Sequence, residues 1–379
     1  MRCYIDVHIL QTVPPSNLNR DDAGTPKQAV YGGAKRARVS SQAWKRATRT
    51  AFADQIDAAQ LATRTKKISA LYADRLAARC GLDSDASIRL ATSVLTEALG
   101  IKAGKKASET AYLLFFGRPQ LERLVDLVED DAERLAALDD KSLAAEVKDL
   151  PVKETLRSGH PIDVALFGRM VAEIPALNVD AATQVAHALS THAADVEFDY
   201  YTAVDDENPK EETGAGMIGT VEFQSATLYR FATVGLHQLA DNLAGDVEAT
   251  VEALRVFLTA FATSMPTGHQ NSFAHRTPPN LLAIAVRTDQ PVNLVSAFEK
   301  PVRGQGVLDE SARRLAKEMT NVGQLWGLTP TLTAATYRAP DSEQDAQTLA
   351  TAFGPSIPFN ELLSTVATAA REQLKDTAQ

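Results

Sequence analysis

The residues best suited to chemistry lie in the first fifty positions. Nine of the chain's 39 Lys and Arg fall there, with only three of its 48 acids, so this segment is strongly basic in a chain of net charge −9. Local potential governs polyanion binding more than net charge does. On a helix, Gln42, Lys45, Arg46 and Arg49 take positions i, i+3, i+4 and i+7 and form one stripe about 100° wide. Ala43, Trp44, Ala47 and Ala51 fall on the opposite side, toward a core. Arg36 and Arg38 lead into this helix, and Arg20 and Lys27 sit in the loop before it. Ser40 or Ser41 would cap its start, where unpaired amides are suited to a phosphate. The chemistry implied is a cationic track for a phosphate backbone. A basic stripe alone also fits a solvated face, since exposed charges are common. The loop cations, the helix start and the local charge surplus favour polyanion contact.

Other chemistry has weaker support. Asp21-Asp22 could hold Mg²⁺ for RNA cleavage, but one carboxylate pair is a weak metal set, and Asp also caps turns. His187 and His192, like His269 and His275, fit no common zinc spacing. The two cysteines, Cys3 and Cys80, give neither a zinc pair nor a disulfide framework. A phosphate-binding loop of the G-x-x-x-x-G-K-[ST] form is absent, and no cofactor is expected. A generic single-strand binder would share the basic track but normally adds stacking aromatics. The first fifty residues hold only Tyr4, Tyr31 and Trp44.

The elements that must position these residues can be read from pattern. With 379 residues, 45% hydrophobic and 23% charged, the chain has an ordinary globular balance. No stretch is apolar enough to span a bilayer, and Met1 to Leu10 alternates rather than forming a signal-peptide block. A cytoplasmic location is expected. Cys3, Ile5, Val7 and Ile9 alternate with Tyr4, Asp6, His8 and Leu10, which predicts a strand. Pro14 to Pro26 predicts a long loop. Lys35 to Val39 is extended, and a helix runs from Ser40 or Ser41 into the 50s. Residues 58–150 predict several amphipathic helices. Ile162 to Val171 has a strand-like pattern, as do Val185, His187, Leu189 and Thr191. Residues 195–220, acidic and glycine-containing, read as an excursion between strands, hence a protruding hairpin. The strand after it covers Val221 to Phe231. Asp246 to Ser264, Asp309 to Leu325 and 344–375 predict helices, and Asn280 to Arg287 a buried strand. The order predicts an α+β core with two insertions.

Several motifs now combine. Pro14-Ser16-Asn17-Leu18-Asn19-Arg20-Asp21-Asp22, Tyr31-Gly32-Gly33, and Arg38-Val39-Ser40-Ser41-Gln42 with Lys45-Arg46 together resemble the CasC family. Asp163 to Met170, Asp199 to Asp206 and Ala297-Phe298-Glu299-Lys300 match it in family order. That family supplies the backbone subunits of the type I-E CRISPR Cascade complex, a system of antiviral defence. The resemblance implies an RRM-like (ferredoxin-like) palm with a helical fingers insertion and a thumb β-hairpin. The palm would comprise 1–57, 151–194 and 221–379, the fingers 58–150 and the thumb 195–220. It implies a homo-oligomeric helical filament along crRNA, in contact with other Cascade subunits. The filament would present the guide to target DNA for pairing, with cutting left to a recruited nuclease-helicase. By position, Arg20, Lys27, Arg38, Ser40, Gln42, Lys45, Arg46 and Arg49 look like the guide-backbone contacts, which carry no sequence information. Arg169 and Met170 match a site near a displaced base, where Met170 would act as a wedge; a core methionine is the alternative. Tyr201, Thr202, Val204 and Ile218 would be the thumb surface on nucleic acid. Its acids would face solvent or a basic neighbour, and alternation predicts that only one of Tyr200 and Tyr201 is buried. The alternative to this non-enzymatic role is a metal-dependent RNase using Asp21 and Asp22.

Overall fold

A computed structural model describes residues 2–106, 109–203 and 217–377. In chain order its strands are β1 (Tyr4–Ser16), β2 (Gln28–Tyr31), β3 (Ala34–Val39), β4 (Ala62–Thr65), β5 (Leu114–Gly117), β6 (Thr183–Val185), β7 (Ala188–Ser190), β8 (Glu197–Ala203), β9 (Met217–Gly235), β10 (Leu281–Arg287) and β11 (Leu332–Tyr337). Its α-helices are α1 (Ser41–Ala51), α2 (Ile68–Cys80), α3 (Ser84–Ser93), α4 (Arg118–Asp126), α5 (Ala132–Ala137), α6 (Asp140–Val147), α7 (Val152–Arg157), α8 (Ile162–Phe167), α9 (Leu236–Asn242), α10 (Val247–Thr263), α11 (Gln270–Phe273), α12 (Val307–Trp326), α13 (Glu343–Phe353) and α14 (Phe359–Thr377). The chain divides into two compact units. Met1–Ala51, Val185–Thr233 and Leu254–Gln379 form the first; Phe52–Gln184 and Val234–Ala253 form the second.

The first unit is built on a sheet of order β11-β10-β1-β9-β7-β3-β2, with β6 and β8 also paired to β9. Antiparallel registers such as Val7↔Ile284 and Leu282↔Thr336 make this an α+β fold. Leu10, Tyr229, Phe231, Ala283 and Ala285 pack with Leu315 and Met319 of α12 and Phe353 of α13. β1 departs from simple alternation, because Asp6 and His8 on its polar register are as buried as Ile5, Val7 and Ile9, and Gln11 on the apolar register is buried too. Asp6 pairs with Arg287 at 3.0 Å and accepts from the Val292 amide at 2.8 Å. His8 Nδ1 is hydrogen-bonded to the Tyr229 hydroxyl at 2.9 Å. The strand also continues through Pro14 and Pro15, where a loop is predicted. Its ladder with β10 ends at Leu10↔Leu281, before prolines that have no N–H to contribute.

The second unit is mostly helical. Tyr72, Leu76, Leu90, Val94, Phe116, Leu121 and Leu124 are part of its core. One π-helical turn, Val94–Ala98, follows α3. An antiparallel pair, β4 with β5, lies inside the stretch that pattern reads as all helix. Ile162 to Phe167 is a helix and not the predicted strand. It starts after Pro161 and ends at Gly168, whose φ is +73°. Val164, Ala165 and Leu166 are all buried, which removes the one-sided pattern that normally marks a helix. Among the described residues, no helix is long and apolar enough to cross a membrane.

Burial pushes His8 down to about 3, helped by the Arg287 charge. An unfolded histidine titrates near about 6.5. As pH falls from that value toward 3, the unfolded chain binds a proton that the folded chain refuses, so this group lowers stability. Asp6, raised by burial to about 6, acts in the opposite sense between its unfolded value of about 4 and that pH. The His8 contribution is isolated by comparing melting temperature against pH, from 7 to 5, for the natural chain and His8→Phe. The slope should be shallower in the variant; equal slopes would exclude His8 as the titrating group.

Candidate nucleic-acid interface

The basic segment belongs to the first unit. Its loop is tighter than the turn-rich sequence predicts. Lys27 N donates to Asn19 O at 2.8 Å, and Arg20 and Pro26 form a β-bridge. Asp21 Oδ1 accepts from the Ala23 and Thr25 amides at 2.9 and 3.1 Å. That carboxylate therefore caps a turn. Among the described residues, no group of three His, Cys, Asp or Glu is arranged to hold a metal ion.

The helix start is capped from three sides. Ser40 N donates to Asn19 Oδ1 (2.9 Å), Ala43 N donates to Ser40 Oγ (3.3 Å), and Ser41 N donates to His187 Nδ1 (3.2 Å). Burial, then the Arg38 and Lys27 charges, lower the His187 pKa, which keeps Nδ1 a neutral acceptor. These contacts correct the expectation of free amides at Ser40 and Ser41. Ser40, 5% exposed, is a cap rather than a surface contact.

Arg36 also departs from the predicted track. It is fully buried and donates to the Ser190, Phe298, Tyr31 and Glu299 carbonyls at 2.8–3.2 Å. Those bonds fasten the β2–β3 hairpin. The turn sits so close to the same segment that a Cβ on Gly32, at φ +58°, would lie 1.6 Å from Glu299 O. Only glycine fits there.

The inner face of α1 buries Trp44 and Thr48. The Arg230 guanidinium carbon lies 3.7 Å from the Trp44 ring centre and 4.6 Å from that of Phe261, and it is fully buried. It donates to Gln11 Oε1 at 2.6 Å and to the Phe261 carbonyl. No carboxylate pairs with it among the described residues, and burial lowers its pKa to about 9. With Trp44 held inward, Gln42 and Arg46 are exposed, and Lys45 and Arg49 half-buried, on the other faces of the helix. Burial lowers the Lys45 pKa from its ordinary value.

Two of the outward cations are held by neutral groups. Arg38 Nε donates to Gln28 O at 3.2 Å, and its Nη1 lies 3.5 Å from His187 Nδ1. Arg20 is exposed, with Nη1 2.6 Å from His269 Nε2. Among the described residues, Arg20, Lys27, Arg38, Lys45 and Arg46 have no carboxylate partner. Some arginines elsewhere are paired instead: Arg75 with Glu122 at 2.6 Å, and Arg79 with Asp126 at 2.9 Å.

Arg169 and Met170 lie in the second unit. Arg169, 4% exposed, donates to the Leu177 and Leu156 carbonyls at 2.7 and 2.9 Å and sits over Phe116. It is an internal brace, so its reading as a surface contact is corrected. Met170, 85% exposed, is no core methionine. In the first unit β8 and β9 form a hairpin from Glu197↔Phe223 to Ala203↔Met217, which pairs Thr202 with Ile218. Val204 lies outside the described residues. Neither tyrosine is buried, against the expectation for one of them. Tyr200 is 76% exposed, and Tyr201, 47% exposed, lays its ring on Gly219, where no side chain stands in the way. Phe198 is exposed too and shares its side of β8 with Tyr200.

Sequence reasoning missed His187, Asn19, Arg230 and His269. Asn19 sits inside a recognised motif, but the others reach residues of the first fifty across 146 or more positions, and no spacing signals such pairs.

Fold and interface together define an α+β protein with a row of cations that lack protein counter-ions. The chain belongs to the CT1975-like protein family, whose model matches residues 5–364. It is similar to a solved chain titled "CRISPR RNA-guided surveillance complex, pre-nicking": 32% identity, TM-score 0.84, covering 97% of this chain and 100% of that one. A second, titled "CRISPR RNA-guided surveillance complex", is 29% identical with TM-score 0.73, covering 97% and 99%. Comparison with curated proteins gives no match.

Replacing Arg230 with Met would strand the Gln11 and Phe261 oxygens and leave Trp44 unclamped, at a cost of about 2–4 kcal/mol. Trp44 emission should shift red at a lower urea concentration than in the natural chain. Trp326, already 75% exposed, contributes little to that shift. An unchanged midpoint would show that the clamp is dispensable.

Proposed function

We propose that this chain is a backbone subunit of a type I-E CRISPR surveillance complex. Copies polymerise along crRNA, hold its phosphate backbone, and present the spacer for pairing with target DNA. The observation that carries this reading is the outward set Arg20, Lys27, Arg38, Lys45 and Arg46, which has no carboxylate partner among the described residues, with Arg38 held by a carbonyl and Arg20 by an imidazole. Side-chain donors of this kind suit phosphates and carry no base preference. Likeness over the whole length to chains of CRISPR RNA-guided surveillance complexes supports the same reading. Met170 and the hairpin aromatics Tyr200, Tyr201 and Phe198 are exposed surfaces suited to bases that leave a stack. The protein acts without a cofactor and without cutting nucleic acid, in the cytoplasm and apart from membranes. The turn-capping role of Asp21 weighs against the RNase alternative. Cleavage of matched single-stranded RNA with Mg²⁺, lost on Asp21→Ala, would reverse the non-enzyme reading.

If about five cations per copy meet phosphate, log K for single-stranded RNA should fall against log[salt] with a slope of about −3.5. Lys45→Ala with Arg49→Ala should make the slope shallower and weaken binding alike across RNA sequences. A slope near zero in the natural chain, or strong sequence dependence, contradicts the backbone track. RNA of discrete guide length should copurify with the chain.

A further inference from the structure

The segment between α10 and β10 has unusual backbone. His269 and Ala274 take left-handed conformations, with φ of +50° and +44°, on either side of the four-residue α11. Only one other described non-glycine residue, Ala244, has positive φ. Glycine would adopt the position of His269 at less cost. A histidine held there indicates a use for its ring. The ring is fixed from two directions. Gly268 brings the backbone so near the basic loop that a Cβ would lie 2.5 Å from Asn17 O. Phe273 stands 6.3 Å from the His269 ring and 5.8 Å from Phe223 at the base of the β8–β9 hairpin. The ring's Nε2 meets Arg20 Nη1 at 2.6 Å. A guanidinium has donors only, so Nε2 must be the acceptor and the imidazole must be neutral.

We propose that His269 is a positioning residue: it holds the Arg20 guanidinium by one N–H and turns its remaining donors toward a backbone phosphate of single-stranded RNA. This rests on the RNA-holding reading above. A carboxylate at the same place would orient Arg20 equally well but would cancel its charge. A neutral imidazole orients it and leaves the full charge for the ligand. The left-handed backbone at residue 269 sets the ring where a regular turn would not.

Two substitutions separate positioning from folding. His269→Gly removes the acceptor while relieving the left-handed backbone, so its melting temperature should equal or exceed that of the natural chain. Its affinity for a labelled, unstructured single-stranded RNA should nevertheless fall about fivefold, the effect of one orienting hydrogen bond. His269→Gln keeps an acceptor of similar reach at the same backbone cost and should restore most of that loss. On an Arg20→Ala background, His269→Gly should have no further effect. A fold defect would instead weaken binding in both backgrounds. If Lys45→Ala with Arg49→Ala weakens binding but His269→Gly does not, the positioning role is wrong and the RNA reading stands. If neither weakens binding, both fall.

Discussion

Arg230 sets the face on which the interface is built. Removing a guanidinium from water is costly, and the usual remedy, a buried carboxylate, is missing among the described residues. Trp44 and Phe261 instead present their ring faces from 3.7 and 4.6 Å, and Gln11 and a backbone carbonyl accept its hydrogen bonds. Burial lowers its pKa only to about 9, so it remains charged at neutral pH. Lysine would not substitute, because a planar guanidinium can stack on a ring face while donating from its edge and an ammonium cannot. The same contact that docks α1 thus leaves a positive charge beneath the helix, and that charge adds to the potential of the cations on its outer side.

Neutral anchoring extends beyond Arg230. Arg38 is held by a carbonyl and lies beside His187, and Arg20 by His269. The helix start is capped by Ser40, Asn19 and His187, none of them anionic. Asp21, the nearest acid in sequence, turns its carboxylate to backbone amides. Elsewhere the chain uses ion pairs freely, on α2 with α4 and between α12 and α13. The contrast is one of solvation and charge. A carboxylate partner cancels an exposed arginine's charge, whereas a carbonyl or imidazole partner leaves it uncancelled.

The sequence made some of this legible. α1 begins where Ser40 predicts, and its polar and apolar faces divide as the 3.6-residue period requires. The β8–β9 pairing follows from alternation on both sides of a turn-rich stretch. What stayed hidden was which arginines are surface and which are brace. Arg36 and Arg38 are two residues apart on one strand, yet one is sealed beneath the hairpin and the other reaches its rim. Nothing local distinguishes them, because the enclosing carbonyls come from Ser190, Phe298 and Glu299. The same holds for Arg169, whose partners, the Leu156 and Leu177 carbonyls, no pattern reveals. Ile162 to Phe167 failed differently: a short helix buried all round has no polar face, so its period cannot be seen.

An uncompensated cation row has a cost that a paired one lacks. Arg20, Lys27, Arg38, Lys45 and Arg46 repel one another, and Arg230 beneath them repels all five; the depressed Lys45 shows that desolvation already disfavours charge on this surface. For a chain that holds RNA, as proposed, the phosphate chain relieves this repulsion as it binds. Ligand binding and stability then share one electrostatic term, and the folded state gains most when RNA is present. A surface built this way is satisfied most fully by a polyanion, whose phosphates supply the charge that the chain itself withholds.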